Sequence, residues 1–185
     1  MDKTPIEYIL SLENNDEYHM ARLLILLEVL SGRNHSKKVA GITKLAKLDY
    51  LLRYPVALER SLRYVDKNVD IIEIKDYERY SIESRMIRFK YGPWDIKFRR
   101  LIVLLQSKGL VNLHISGKNV EILITDKGII LAQKIAKKPE FRDYYRRSKI
   151  IKTNFDEYSA SRLTELFFDV FPELSNMRMG EIIEI

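Results

Sequence analysis

The sequence predicts an α+β fold in which helices dominate, and three observations carry that class. Leucine-rich stretches recur at three- and four-residue spacing around residues 17–31 and 42–65. Two runs that alternate apolar and polar residues, Leu110–Ser116 and Asn119–Thr125, flank Gly117-Lys118, which is the pattern of a β-hairpin. Helical signals stand on both sides of that hairpin, so the strands are few and enclosed by helices.

Composition bounds what such a chain can be. It has 185 residues, enough for one domain with an appendage, and 32 Lys+Arg against 26 Asp+Glu give a formal net charge of +6. Hydrophobic residues at 46% and charged residues at 31% can build an ordinary packed core, which argues against global disorder. The absence of cysteine excludes disulfides, thiolate metal sites and a cysteine nucleophile, and it suits a reducing cytoplasm. No apolar run approaches the ~20 residues that span a bilayer, and the N-terminus lacks a signal-peptide pattern, so the expected location is cytoplasmic, away from membranes.

In chain order, residues 1–16 read as a polar leading segment. Residues 17–31 form a helix of unbranched apolar residues stopped by Ser31-Gly32. After a loop at 31–38, Ile42, Leu45, Leu48, Leu51 and Leu52 mark a helix ending at Tyr54, and Pro55 opens another over 55–65. This pair has the outline of a helix-turn-helix. Residues 66–92 are charged, with a short strand expected around Val69–Asp76, a strand or helix end over Arg85–Tyr91 and a break at Gly92-Pro93. Asp95–Lys108 is a helix closed by Gly109; the hairpin follows, and Thr125-Asp126 cap the next helix.

Helix, hairpin and capped helix in register over 95–138 is the order of a winged helix. The expected organisation is an N-terminal segment at 1–16 and a winged helix-turn-helix domain at 17–138 with an insertion. A basic linker and C-terminal helical extension follow at 139–185. A last helix is expected over Glu157–Phe171, with Leu163, Leu166, Phe167 and Val170 on one face.

The catalytic inventory is poor. His19, His35 and His114 have no metal-ligand spacing, and no nucleophile motif or phosphate loop is present. No metal, cofactor or small-molecule substrate is expected. Glu73-Ile74-Lys75, after Asp66 and Asp70, matches the E-x-K core of Mg²⁺ nucleases, but the sheet that chemistry needs is not predicted around it.

Three surfaces remain. In helix 95–108, Lys97, Arg99, Arg100 and Lys108 suit phosphates and Gln106 suits a base edge. Its apolar residues nevertheless point nearly all round, which predicts a packed helix with Val103 and Leu104 against a partner protein. Residues 127–152 hold nine bases against Glu140 and Asp143, interleaved with Phe141, Tyr144 and Tyr145. With Lys118 of the turn, the candidate nucleic-acid contacts are Lys137, Lys138, Arg142, Arg146, Arg147, Lys149 and Lys152. The competing reading is a solvated helix face whose tyrosines pack inward. The tail, 153–185, has two arginines against seven acids and carries Phe167, Phe168, Phe171, Met177 and Met179, an aromatic and methionine surface suited to a protein partner. It could equally fold back over its own domain.

Two phrases, KLDYLLRYPVALER at 47–60 and RFKYGPWDIKFRRL at 88–101, go beyond a generic winged helix. From about residue 20 onward the chain resembles the small middle component of ABC-type three-component systems, relatives of Lamassu anti-phage and anti-plasmid defence loci. The most distinctive residues are the Leu48-Asp49-Tyr50 and Arg53-Tyr54-Pro55 helix end and the Tyr91-Gly92-Pro93-Trp94 break. The resemblance implies a non-enzymatic adaptor between an SMC-like ATPase subunit and an effector, often a nuclease subunit, within a DNA-sensing complex. The alternative is a stand-alone winged-helix regulator that binds DNA as a homodimer.

Overall fold

The computed structural model describes residues 15–79, 87–89, 92–94, 97–117 and 119–181. The N-terminal segment before Asn15, Lys118 and the last four residues lie outside that range, as do parts of 80–96.

The fold is α+β and mainly helical, and it is organised around one helix. Helix α1, Asp16–Leu30, is capped by Asn15, whose side-chain oxygen accepts from the amides of Glu17 at 2.9 Å and Tyr18 at 3.2 Å. Every residue from Arg22 to Leu30 is buried, so α1 is apolar on all sides because it is covered on all sides. Strand β1, Val39–Ala40, leads through Gly41 into α2, Ile42–Arg53, which is buried from Leu45 onward. Tyr54 separates α2 from α3, Pro55–Tyr64, whose proline occupies the first turn, where no amide donor is needed.

Beyond α3 the sequence expectation of a strand near 69–76 is corrected. The chain makes a 3-10 turn at Asp70–Ile72 and the short helix α4, Asp76–Arg79. Glu73 takes a left-handed conformation with φ of 51°, which interrupts any extended run. Gly92-Pro93 is also not a terminating break: strands β2, Ile87–Phe89, and β3, Gly92–Trp94, pair antiparallel with Ile87 opposite Trp94.

Helix α5, Phe98–Ser107, ends at Gly109, whose φ is 69°. Strands β4, Val111–Ser116, and β5, Asn119–Ile124, form the expected hairpin, in register from Val111 opposite Ile124 to Ser116 opposite Asn119. Strand β1 adds to the free edge of β5, with Val39 opposite Ile122, so the sheet order is β1-β5-β4. Helix α6, Asp126–Ala136, begins at Thr125, which accepts from the Gly128 amide and donates to the Gly109 carbonyl. Gly128 is obligatory there, because a Cβ would lie 2.2 Å from the Leu110 carbonyl oxygen.

The basic stretch expected as a linker is instead helix α7, Arg142–Phe155, packed against α1 and α2. Arg147, Ser148, Ile150, Ile151 and Phe155 give it a buried stripe at helical spacing that its charge obscures in the sequence. Helix α8, Ala160–Val170, capped by Ser159, and the single turn α9, Glu173–Asn176, close over α2 and α3. One continuous apolar core runs from Met20 of α1 to Leu174 of α9.

Candidate interaction surface

Helix α5 presents the clearest two-sided surface. Phe98, Leu101, Ile102 and Leu105 are buried, whereas Arg99, Arg100, Val103, Gln106, Ser107 and Lys108 are exposed. Leu104 is half-buried and packs on the core. The expectation of a helix apolar nearly all round is therefore corrected: only Val103, 58% exposed, interrupts a polar outer face. Asp16 holds Arg100 at 2.6 Å, which fixes the start of α5 against the start of α1. The neighbouring hairpin continues that relief, for its core-facing row Val111, Leu113 and Ile115 runs outward until Ile115 is almost fully exposed. A groove of about 220 Å³ lies between α1, the α5–β4 turn and α6. It is lined mostly by apolar residues such as Met20, Leu24, Leu110 and Leu131, joined by Glu17 and Lys108.

The basic band divides. Arg147 is 2% exposed and makes a bidentate pair with Glu78, both contacts at 2.7 Å, so it is a core residue and not a nucleic-acid contact. Arg146 bonds Glu73 and the Ile72 carbonyl and reaches Asp143 at 3.2 Å. Burial and the adjacent Arg147 charge hold the Arg146 guanidinium below its ordinary pKa. Lys75 meets Asp143 at 2.6 Å. Arg146 and Arg147 thus tie the 70–79 segment to α7, which removes both from the candidate DNA surface. Glu73 and Lys75, the E-x-K residues, are spent on the same clamp, and no metal-holding group of three occurs among the described residues. Lys137, Lys138, Arg142 and Lys149 remain exposed, Lys149 lying over the Tyr145 ring at 4.1 Å, and Lys152 is half-exposed. Lys118 lies outside the described residues.

The tail is corrected in the same way. Phe167 and Phe171 are buried, with ring centres 5.3 and 6.1 Å from Tyr50. They belong to the core and are not a partner surface. Phe168 and Met177 pack on that core at its edge, and only Met179 stands clear, 67% exposed. Four of the tail's acids meet the first half of the chain. Lys37 reaches Asp156 at 2.8 Å and Glu157 at 2.6 Å; Arg60 reaches Glu173 at 2.9 Å; the Tyr64 hydroxyl donates to Asp169. The two carboxylates raise the Lys37 pKa, and Lys37 in turn lowers that of Glu157.

Inside, the phrase 47–60 is largely interior. Arg22 pairs with Asp49 at 2.8 and 3.0 Å and donates to His19 Nδ1 at 2.8 Å. Burial opposes the Arg22 charge, but Asp49 outweighs it and holds the guanidinium above its usual range. Tyr50 is pushed up by burial, and burial brings the Lys47 ammonium down to about 8. These residues build the α1–α2 core. They make the family-like phrase a signature of packing and leave the outer faces to function. The sequence places Lys127 and Lys134 in the basic band of 127–152 without singling them out as contacts, and their seven-residue spacing is the signal that marks them; the exposed Ile115 and Ile130 carry no such signal. No protein-family model matches the chain, and comparisons with curated proteins and with solved structures give no match.

Proposed function

We propose that the chain is a non-catalytic winged-helix adaptor of a DNA-sensing defence complex. It bridges an SMC-like ATPase and an effector subunit, and it touches nucleic acid through phosphates. The winged-helix reading is supported by the order helix, edge strand, helix, then α5, hairpin and α6, with β1 on the outer edge of β5. The insertion expected at 66–92 lies between α3 and α5 in the chain. The observation that carries the adaptor role is the outer face of α5, where Val103 stands exposed among Arg99, Arg100 and Gln106 beside the protruding Ile115. A face with a few apolar anchors in a polar surround suits a protein partner.

Co-expression of the full chain with the products of adjacent genes, followed by pull-down, tests the reading. The expected result is capture of a large coiled-coil ATPase, with Val103→Glu weakening capture at least tenfold. A clean monomer with no ATPase attached overturns it.

The stand-alone homodimeric regulator is favoured by a different detail of α5. Arg99, Val103 and Gln106 lie one helical turn apart and outward, as side chains that read base edges would. A symmetric dimer giving one protected palindromic site supports that second reading.

A further inference from the structure

We infer that the outer ridge of α6 is the surface on which this protein seats a duplex phosphate backbone, in place of the arginines of α7. The inference rests on the nucleic-acid part of the reading above. Lys127, Lys134 and Lys138 are exposed and lie at seven- and four-residue spacing. At about 100° per residue this puts Lys127 and Lys134 within about 20° of each other on α6, and Lys138 follows just beyond the helix end, at the start of the next 3-10 turn. Lys138 lies two residues past the last helical residue, Ala136, and adds an exposed cation at that end. At ~1.5 Å rise per residue Lys127 and Lys134 stand about 10 Å apart along the helix axis. A duplex carries roughly one charge per 1.7 Å of its axis, so this span covers several phosphates.

Three details favour a phosphate backbone over an acidic protein. No carboxylate pairs with Lys127, Lys134 or Lys138 among the described residues, in contrast to the clamped Arg146 and Arg147. Lysine is a hydrated point charge, depleted from protein interfaces yet effective against phosphate. Finally, Lys127 Nζ donates to the Lys108 carbonyl at 2.9 Å, which joins the ridge to the end of α5 and its exposed Gln106. Exposed cations beside a helix with base-edge donors fit a nucleic acid.

The test is anisotropy of a labelled mixed-sequence duplex of about two turns, titrated with the full chain from ~50 to ~200 mM salt. Replacing Lys127, Lys134 and Lys138 together by Gln should weaken binding at least tenfold for all sequences alike. It should also reduce the log–log salt slope by about 3, near 0.9 for each contact. Arg99→Ala with Gln106→Ala should leave that slope largely intact. An unchanged slope in the triple variant overturns the inference and leaves duplex binding to another surface. Binding of polyglutamate but not duplex, lost in the triple variant, assigns the ridge to an acidic protein and overturns it. Wild-type protein that binds neither probe overturns it outright. The pull-down separates this from the adaptor reading, because the triple variant should still capture the ATPase.

Discussion

Helices α6 and α7 follow one another, and the lysines of the first and the arginines Arg146 and Arg147 of the second serve opposite ends. On α6 and just beyond its end the cations are lysines, and Lys127, Lys134, Lys137 and Lys138 face water. On α7 Arg147 is buried and Arg146 half-buried, and both reach the 70–79 segment. The residue choice follows the physics: guanidinium forks meet carboxylates in two parallel bonds and tolerate partial desolvation, whereas ammonium groups remain strongly hydrated. A net charge summed over 127–152 therefore joins two unlike things. One is the clamp of Arg146 and Arg147, and the other is exposed charge, to which Arg142 and Lys149 of α7 also belong.

The sharpest way to break this contrast is to remove the acid that Arg147 needs. Glu78→Ala leaves a guanidinium buried without its bidentate partner, and the expected loss is about 3–5 kcal/mol, read as a fall in the urea midpoint. Lys75→Ala removes an exposed pair of the same clamp, Lys75–Asp143, and should cost under ~1 kcal/mol. Equal losses in the two variants would mean that Arg147 is solvated like any surface base, and the distinction between the helices would fall.

A buried lysine sharpens the contrast from the other side. Lys47 of α2 is 1% exposed, and burial lowers its pKa from 10.5 to about 8. Below about pH 8 both folded and unfolded chains hold this proton, and the folded state bears the full desolvation penalty. Between 8 and 10.5 the folded state releases it first, the unfolded state binds more protons, and this contribution to stability rises with pH. At ~1.4 kcal/mol per pKa unit the penalty at neutral pH is of the order of 3 kcal/mol. Lys47→Met should raise stability at pH 7 by about 2–3 kcal/mol and flatten the rise between pH 8 and 10, measured by urea unfolding across that range. A variant less stable than the parent at pH 7 would show that the ammonium makes compensating contacts.

The elements legible in the sequence are those whose causes are local. The Gly117 turn, the Thr125 cap and the Ser31-Gly32 stop sit beside what they delimit, so α1, the hairpin and α6 fall where expected. Strand β1 was invisible because two residues become a strand only by pairing with Ile122 and Glu121, more than eighty positions away. The fate of the surfaces was hidden for the same reason. Arg147 finds Glu78 across 69 positions, so neither composition nor periodicity shows that it turns inward, whereas Phe167 shares the apolar face of Leu163, Leu166 and Val170 and is buried with them. On α5 the periodicity predicts the buried stripe of Phe98, Leu101, Ile102 and Leu105 but leaves Leu104 outside it. Leu104 closes the edge of the buried stripe, and Val103 alone is left outside.

The smallest expected effect is the one that isolates the α6 ridge. If Lys127, Lys134 and Lys138 are held for a partner, replacing them by Gln should change unfolding free energy by no more than about 0.5 kcal/mol, because surface changes away from packing and caps rarely do more. Lys127 supplies the one internal bond, to the Lys108 carbonyl, and that exposed acceptor can turn to water at little cost. Glutamine keeps the helix-forming character of lysine, so propensity is nearly balanced. A loss near that of Glu78→Ala would show that the ridge carries the fold as the α7 arginines do. A near-zero change, alongside weakened duplex binding, leaves recognition as the reason those three lysines stand exposed along and beyond α6.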